Sequence, residues 1–297
     1  MKIRIATRPS KLSLIQVDVL LRELEDRLES INYEIVKIES HGDLYYNSPL
    51  QKIGVAGVFE KNVNRAILEG KADIAVHSLK DLPSILDSRL TISYVTNRGD
   101  PRDALVPARG KQIVSIKDLQ PGNVVGTSSA RRKSLLLHYN PSLTVRSIRG
   151  NIETRLSKLG SGYDYIITSA AALDRIGYNR PFKRLSLKDF LPSPGQGFIA
   201  VTSLKSSQVT RMLRDVVDNL NYSEAMAERE FLKELGGGCN VPSGGYCCLE
   251  SNRSICRGIM LSPDGSLLSY AEASGDRDDI ISVASRTAII LKKGVKY

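Results

Sequence analysis

Strand-like and helix-like runs alternate along most of the chain, and this alternation limits the possible folds more than any other feature. "KIRIAT" (2–7) predicts a strand, "KLSLIQVDVLLRELEDRLES" (11–30) repeats apolar residues at helical spacing, and "NYEIVKIES" (32–40) predicts a second strand. The order strand, helix, strand predicts a parallel pair. Further runs of the same kind are a helix near 59–70 and strands at 72–78 and 91–97.

A second series begins after residues 98–110, a polar, proline-containing stretch that suits a crossing between domains. "LPSPGQG" (191–197) indicates a return crossing for the same reason. The sequence therefore predicts two α/β units of similar build. In the second unit strands are predicted at 123–128, 143–148 and 163–169, with helices from about Ala130, at 151–159 and at 170–177; strand 198–204 and helices to about Leu235 follow the return crossing.

The C-terminal part has a different pattern. From Gly244 onward three strand-like runs precede an amphipathic helix at 278–293, which predicts a small α+β domain. A chain of 297 residues exceeds the size of one hydrophobic core, so several domains are expected. The predicted domains are residues 1–97 with 198–217 (α/β), residues 98–197 (α/β, arginine-rich), and residues 218–297 (α+β).

Positive charge is concentrated in one segment. Between Thr127 and Lys158 there are seven cations and one acid, which accounts for six of the ten net positive charges. Such a segment predicts an anionic partner, either a nucleic acid or a small molecule rich in carboxylates or phosphates. A nucleic-acid site would need interleaved aromatic residues or a recognition helix, yet only Tyr139 lies near these arginines. A pocket for a small polyanion is the favoured interpretation.

Hydroxyl and guanidinium groups meet where the predicted strand 123–128 runs into a helix. Thr127, Ser128 and Ser129 would lie at the helix N-terminus, where free N–H groups and the helix dipole favour an anion. Arg131 and Arg132 could bind a carboxylate or phosphate bidentately. An ordinary N-cap with solvated arginines is the alternative. "RSIRGNIETR" (146–155) forms a second such junction, and two neighbouring junctions at strand ends favour a binding site.

The first α/β unit repeats this arrangement. Arg8 and Ser10 follow its first strand, and "ADIAVHSLKDLP" (72–83) delivers Lys80 and Asp81 to a loop after a buried strand. A surface ion pair between Lys80 and Asp81 is one interpretation. The other is that the ionised carboxylate stabilises a cationic intermediate or transfers a proton. Asp81 is therefore the candidate catalytic residue.

Cys239 follows three glycines in "ELGGGCNVPSGG" (234–245), so backbone rather than apolar side chains surrounds it. Its thiol could be a metal ligand, half of a disulfide, a nucleophile, a covalent anchor or without function. The gaps to Cys247, Cys248 and Cys256 do not fit a zinc site. No membrane-length apolar run or signal-peptide pattern is present, so we expect a soluble cytoplasmic protein, which disfavours disulfides. The other three cysteines are then packing residues on strands.

Seven motifs occur in the order and approximate spacing of one enzyme family: "RIATRPSKLSL", "ADIAVHSLKDLP", "DPRDAL", "VGTSSARR", "RSIRGNIETRLSKL", "PGQG" and "GGGCNVP". On these motifs the sequence resembles the hydroxymethylbilane synthases, also called porphobilinogen deaminases. The similarity runs from about Arg4 to Pro242 and continues more weakly to the end.

The resemblance implies a cytosolic monomer with two domains like type 2 periplasmic binding proteins and an α+β third domain. It implies an enzyme that joins four molecules of porphobilinogen head to tail, releasing ammonia each time, and then hydrolytically releases the tetrapyrrole hydroxymethylbilane. The substrate is a small molecule with acetate and propionate groups; no nucleic acid, membrane or metal is implied. A dipyrromethane cofactor, made from the substrate, would be attached to Cys239 through a thioether.

The resemblance also assigns residues. Asp81 corresponds to the catalytic aspartate, which would stabilise the cation left by loss of ammonia. "KIGVAGVF" (52–59) departs from the family: Val55-Ala56-Gly57 stands where a lysine between two glycines is common, although Lys52 and Phe59 are in place. The implied carboxylate-binding or pocket residues, together with the two adjacent hydroxyls, are Arg8, Ser10, Gln16, Lys80, Thr127, Ser128, Ser129, Arg131, Arg132, Arg149, Arg155 and Arg175.

Overall fold

The structure, a computed structural model, describes residues 2–28, 31–39, 58–236 and 242–294, with the side chains of 58–61 left aside. The chain divides into two compact units. Unit 1 contains residues 1–99 and 198–225, and unit 2 contains residues 100–197 and 226–297. Unit 2 therefore holds most of both the second and the third predicted domain.

A five-stranded sheet with helices on both faces forms unit 1. Its strands are ordered β2-β1-β3-β10-β4, with β1, β2 and β3 parallel and β10 antiparallel to both of its neighbours. One face packs Ile5 against Leu20 of α1, and the other packs Ala75 against Ile67 of α2. The elements are β1 (Lys2–Thr7), α1 (Lys11–Glu25), β2 (Asn32–Lys37), α2 (Val58–Leu68), β3 (Ile74–Ser78), β4 (Leu90–Val95), β10 (Ile199–Leu204) and α6 (Gln208–Asp215).

A second five-stranded sheet lies in unit 2. Its order is β7-β6-β8-β5-β9, with β6, β7 and β8 parallel and β5 antiparallel to its neighbours. Leu135 and Leu136 of α3 pack on one face, and Leu173 of α5 packs on the other. The elements are β5 (Asp103–Pro107), β6 (Val124–Gly126), α3 (Ala130–Tyr139), β7 (Thr144–Arg146), α4 (Ile152–Leu156), β8 (Tyr165–Ser169), α5 (Ala170–Arg175) and β9 (Lys183–Arg184).

The C-terminal part of unit 2 is a three-stranded antiparallel sheet against which two helices pack. Phe231 and Val283 are fully buried in its core. Its elements are α7 (Asn219–Glu234), which begins in unit 1, β11 (Ser243–Glu250), β12 (Arg253–Leu261), β13 (Leu268–Asp276) and α8 (Ile280–Gly294). Together with the two larger sheets it confirms the predicted fold class of two α/β units and a small α+β part.

One sequence prediction of secondary structure was wrong. Residues 98–110 were predicted to be a crossing, but Asp103–Pro107 form the fully buried strand β5. A strand buried on both faces does not alternate apolar and polar residues, so its short "ALV" core gave no period-two signal. Its first residue, Asp103, is fully buried. In the sequence, however, the charge of Asp103 makes the stretch resemble a polar loop.

The cysteine prediction needs a correction. Cys247 on β11 lies opposite Cys256 on β12, and a disulfide joins them with an S–S distance of 2.07 Å. Cys248 is buried and not part of a disulfide. The strand positions and burial of all three cysteines agree with the prediction, but the expectation of no disulfide was wrong. The prediction rested on the expected cellular compartment. It took no account of strand register, which places Cys247 and Cys256 directly opposite each other on adjacent strands.

Loss of this disulfide should lower the free energy of unfolding by about 2–3 kcal/mol, the loop-closure value for a cross-link of this sequence separation. The measurement is urea denaturation of the oxidised protein, the same protein with dithiothreitol, and a Cys247→Ala/Cys256→Ala variant. The reduced protein and the variant should unfold at lower urea than the oxidised protein. Equal midpoints before and after reduction would contradict this expectation.

Candidate active site

The first group of predicted site residues lies just after the ends of two strands in unit 1. Strands β1 and β3 are parallel neighbours, so the segments that follow them leave the same edge of the sheet. Arg8 and Ser10 follow β1, and Lys80 and Asp81 follow β3. These two loops therefore lie at one edge of the first sheet.

Asp81 ends a single 3-10 turn, Leu79–Asp81. The turn is fixed on both sides, because Leu79 and Leu82 are buried and the N–H of Leu79 donates to the carbonyl of Phe198 at 3.1 Å. The side chain of Asp81 is exposed, and it makes no hydrogen bond or ion pair with the residues that the structure describes. Asp81 is thus a carboxylate on a rigid support with its oxygens available to a ligand.

Gln16 and Ser10 also lie at this edge. Gln16 is buried on α1, and its Nε2 donates to Oγ of Ser78 at 2.8 Å, which ties the helix to the end of β3. Ser10 caps α1, because its Oγ accepts from the N–H of Ser13. Arg8 and Lys80 are half-buried. In this structure Ser10 and Gln16 hold the edge in place, and binding of a ligand carboxylate by them stays a prediction.

His77 is the histidine nearest to Asp81 in the sequence, and it is buried inside β3. Its Nε2 lies 3.0 Å from Oδ1 of Asn64, which also accepts a hydrogen bond from Thr202. Burial lowers the pKa of His77 to about 3. The ring is therefore neutral at ordinary pH and belongs to the internal hydrogen bonding of the sheet.

The hydroxyl groups after β6 make hydrogen bonds with the backbone. Oγ1 of Thr127 accepts from the N–H of Ser129, and Oγ of Ser129 caps α3 by accepting from the N–H of Arg132 at 3.4 Å. Oγ of Ser128 donates to the carbonyl of Ile148 at 2.6 Å and accepts from its N–H at 3.1 Å. Ser128 therefore fastens the loop after β7 to the loop after β6. Direct contact of these hydroxyls with a ligand stays a prediction.

Arg131 and Arg132 converge on one buried carboxylate. Oδ2 of Asp103 accepts from Nη1 of Arg131 at 2.8 Å, and Oδ1 accepts from Nε and Nη2 of Arg132 at 2.9 and 2.7 Å. Asp103 is fully buried, and the two arginines are 5% and 6% exposed. The alternative of solvated arginines is thereby ruled out, and their predicted role in binding ligand carboxylates stays a prediction.

Asp103, Arg131 and Arg132 form one group, the Asp103 cluster, and its net charge is positive. Burial alone would raise the pKa of Asp103, but the attraction of Arg131 and Arg132 outweighs it, so the pKa lies well below its usual range. Burial lowers the pKa of Arg131, and Asp103 opposes that shift. Two guanidinium groups and one carboxylate leave one positive charge in a buried place, which favours an anionic ligand.

The remaining predicted arginines follow strands β7 and β8, which lie on either side of β6. Arg149 is exposed, whereas Arg155 and Arg175 are half-buried. Nε of Arg155 donates to the carbonyl of Gly150 at 2.8 Å, and Nη2 of Arg175 donates to that of Gly197 at 2.6 Å. Because β6, β7 and β8 are parallel, these residues and the Asp103 cluster lie at the same edge of the sheet. This edge offers several cationic donors to a ligand with more than one carboxylate.

Several predicted residues lie outside the part of the chain that the structure describes. Cys239 lies outside the described residues, as do Lys52 and Val55-Ala56-Gly57, and the side chain of Phe59 is not described. Within the described part of the chain, no group of three or more His, Cys, Asp or Glu residues could hold a metal ion.

Sequence reasoning missed two residues of this edge, Asp103 and Gln196. Nε2 of Gln196 donates to Oδ1 of Asp103 at 3.0 Å and to the carbonyl of Pro101 at 2.7 Å, and its Oε1 accepts from Arg132 at 3.3 Å. Both residues lie in motifs that the sequence analysis quoted, "DPRDAL" and "PGQG". The available signal was the adjacent arginine pair, which needs a counter-ion if it is buried.

Two family models match the chain. The model described as "Porphobilinogen deaminase, dipyromethane cofactor binding domain" matches residues 3–212. The model described as "Porphobilinogen deaminase, C-terminal domain" matches residues 222–293. Together they span nearly all of the sequence.

Relatives of similar length carry the same name. The chain is 45% identical over 280 residues to "Probable porphobilinogen deaminase" of Aeropyrum pernix, covering 93% of this chain and 90% of the relative. It is 40% identical to "Porphobilinogen deaminase" of Francisella philomiragia, with 93% and 91% covered. It is 39% identical to "Porphobilinogen deaminase" of Caldicellulosiruptor saccharolyticus, with 98% and 99% covered.

The chain is also similar, at low sequence identity, to parts of solved structures. The probable amino-acid ABC transporter extracellular-binding protein ytmK of Bacillus subtilis is 16% identical with a TM-score of 0.43, covering 78% of this chain and 97% of that one. The periplasmic VFT2 domain of Bordetella pertussis BvgS is 14% identical with a TM-score of 0.45, covering 77% of this chain and 92% of that one.

Among the described helices, none combines the length and apolar character needed to cross a membrane.

Proposed function

Because the chain belongs to the porphobilinogen deaminase family, we propose that it is a hydroxymethylbilane synthase, a transferase of tetrapyrrole synthesis. It joins four porphobilinogen molecules head to tail, releases ammonia at each addition, and then releases the linear tetrapyrrole by hydrolysis. The observation that carries this proposal is the match of both family models over most of the chain.

Asp81 is the proposed catalytic residue. Loss of ammonia from the aminomethyl group of a porphobilinogen unit leaves a cation that extends over the pyrrole ring. A carboxylate fixed beside the ring stabilises this charge as it develops, and it can accept the proton that is lost after the new carbon–carbon bond forms. The rigid turn and the available oxygens of Asp81 suit both tasks.

The arginines are the proposed carboxylate-binding groups. Every porphobilinogen unit carries an acetate and a propionate, so the negative charge of the product chain grows with each addition. The positively charged Asp103 cluster and the exposed Arg149 are suitable donors in unit 2. The same role is proposed for Arg8, Lys80, Arg155 and Arg175. It is also proposed for the side chains of Ser10, Gln16, Thr127, Ser128 and Ser129, which in addition hold the loops that carry these groups.

Cys239 is the proposed attachment residue for a dipyrromethane cofactor, through a thioether. The cationic donors at the edge of the second sheet fit a group that carries several carboxylates. When bound, the dipyrromethane supplies the pyrrole carbon to which the first substrate unit is transferred. In the sequence the three residues before Cys239 are glycines, which have no side chains to compete with a bulky substituent.

We propose three domains, residues 1–97 with 198–217, residues 98–197 and residues 218–297. The protein acts as a monomer in the cytoplasm on a small-molecule substrate, and it binds neither nucleic acid nor membrane.

The function is tested by intact mass and by ammonia release. Protein made in a host that synthesises porphobilinogen should exceed its sequence mass by two linked pyrrole units. It should release about one ammonia per porphobilinogen consumed and form a tetrapyrrole. Protein at its sequence mass that releases no ammonia from porphobilinogen would instead be a polyanion-binding module on the same scaffold.

A further inference from the structure

Arg131 and Arg132 are adjacent in the sequence, and both bind Asp103. What we infer from this contact rests on the proposed function. Consecutive residues of an α-helix point about 100° apart around its axis. Their guanidinium groups nevertheless meet, because each binds a different oxygen of the same carboxylate. Asp103 thus holds two flexible side chains in one fixed arrangement.

The cluster is fixed from further directions as well. Nη1 of Arg131 donates to the carbonyl of Leu191 at 2.7 Å, and the guanidinium lies 5.9 Å from the centre of the Phe190 ring. Gln196 bonds to both Asp103 and Arg132, which sets the plane of the carboxylate. Each arginine therefore has only some of its N–H groups left for a ligand, and their directions are determined by Asp103. Nε of Arg131 is buried and has no hydrogen-bond partner within the described chain.

We propose that Asp103 is a positioning residue for the reaction. It sets the direction in which Arg131 and Arg132 present their remaining N–H groups to a carboxylate of the substrate or growing chain. It also reduces the charge of the pair from two to one. Without it the guanidinium groups would repel each other and reorient, and a carboxylate would lose its preformed site.

The test compares Asp103→Asn with the wild-type chain. Full-length protein is prepared from a host that cannot make porphobilinogen, and porphobilinogen is then added at increasing concentration. Intact mass gives the concentration for half-maximal covalent loading, and turnover of the loaded protein gives KM and kcat. We expect the half-loading concentration and KM to rise roughly 10- to 100-fold, the range for misplaced positioning groups, with a smaller change in kcat. The pH dependence of kcat should not change.

Asp100→Asn is the matched control. Asp100 lies three residues earlier, and it also binds two arginines, Arg102 and Arg184, each at 2.7 Å. None of these three residues belongs to the proposed site. The Asp100 variant should lose stability, but its half-loading concentration and KM should stay within about twofold of wild type.

The outcomes separate three cases. If the Asp103 variant yields less folded protein but loads and binds with wild-type values, Asp103 is structural and the inference is overturned. A lower KM would also overturn it, because Asp103 would then be a competitor of the ligand carboxylate. If the wild-type chain neither loads nor turns over, the proposed function itself fails.

A second variant covers the case in which Asp103→Asn does not fold, as judged by circular dichroism. Asp103→Glu keeps the negative charge but moves the carboxylate by one methylene. The half-loading concentration should still rise, since the direction of the guanidinium groups changes while the net charge does not. Loading of this variant at wild-type concentrations would overturn the inference.

Discussion

A Cys239→Ser variant is expected to have its sequence mass and to turn over no detectable porphobilinogen. Serine keeps the size of the side chain but lacks the nucleophilic sulfur that would form the thioether. If the product chain grows on a group attached to this sulfur, no other residue can replace it. The measurement is intact mass of wild type and variant from the same host, followed by a porphobilinogen consumption assay.

Cys248→Ser is the control for this experiment. Cys248 lies nine residues further along the chain on β11, is buried and forms no disulfide. The control variant should keep the added mass and most of the turnover. A Cys239→Ser protein that still carried the two pyrrole units would show that the cofactor is attached elsewhere.

Asp81→Asn should lower turnover by a factor of at least about 100, the low end for a positioned acid–base group. Asparagine has nearly the same shape, but it can neither neutralise a cation nor accept a proton. Because Leu79 and Leu82 hold the turn independently of the Asp81 side chain, the fold should be retained. Steady-state kinetics with porphobilinogen and circular dichroism give the two readouts.

The matched control for Asp81 is Asp87→Asn. Asp87 binds Arg89 through both carboxylate oxygens and lies away from the ends of β1 and β3. Its replacement should leave turnover near the wild-type value. Near-normal turnover of Asp81→Asn would remove Asp81 from the proposed mechanism.

The sequence predicted the fold well where the patterns were long. Helix α1 and strand β1 begin where periodicity placed them, and the parallel order of the central strands followed from their connections. Strand β5 was missed because it is short, buried on both faces and begins with a charged residue. Burial of Asp103 depends on two arginines that lie nearly thirty residues away in the sequence, which no local pattern records.

At the candidate site the sequence indicated residue types but not the contacts between them. The arginines and hydroxyls lie at the predicted strand ends, yet the sequence could not indicate that Ser128 bonds to the loop after β7 or that Arg131 and Arg132 share a carboxylate. These contacts depend on tertiary packing. The Cys247–Cys256 disulfide was missed for the same reason, since it depends on strand register.

The position of β10 has a consequence for synthesis on the ribosome. In the first sheet β10 lies between β3 and β4, although roughly 100 residues separate it from β4 in the chain. At about 5–20 residues per second, β4 waits roughly 5–20 s for its partner strand. The second sheet needs no strand beyond β9, so its last strand is made before β10. The N-terminal sheet is therefore completed after the sheet that follows it, and β3 and β4 lack their common neighbour in the interval.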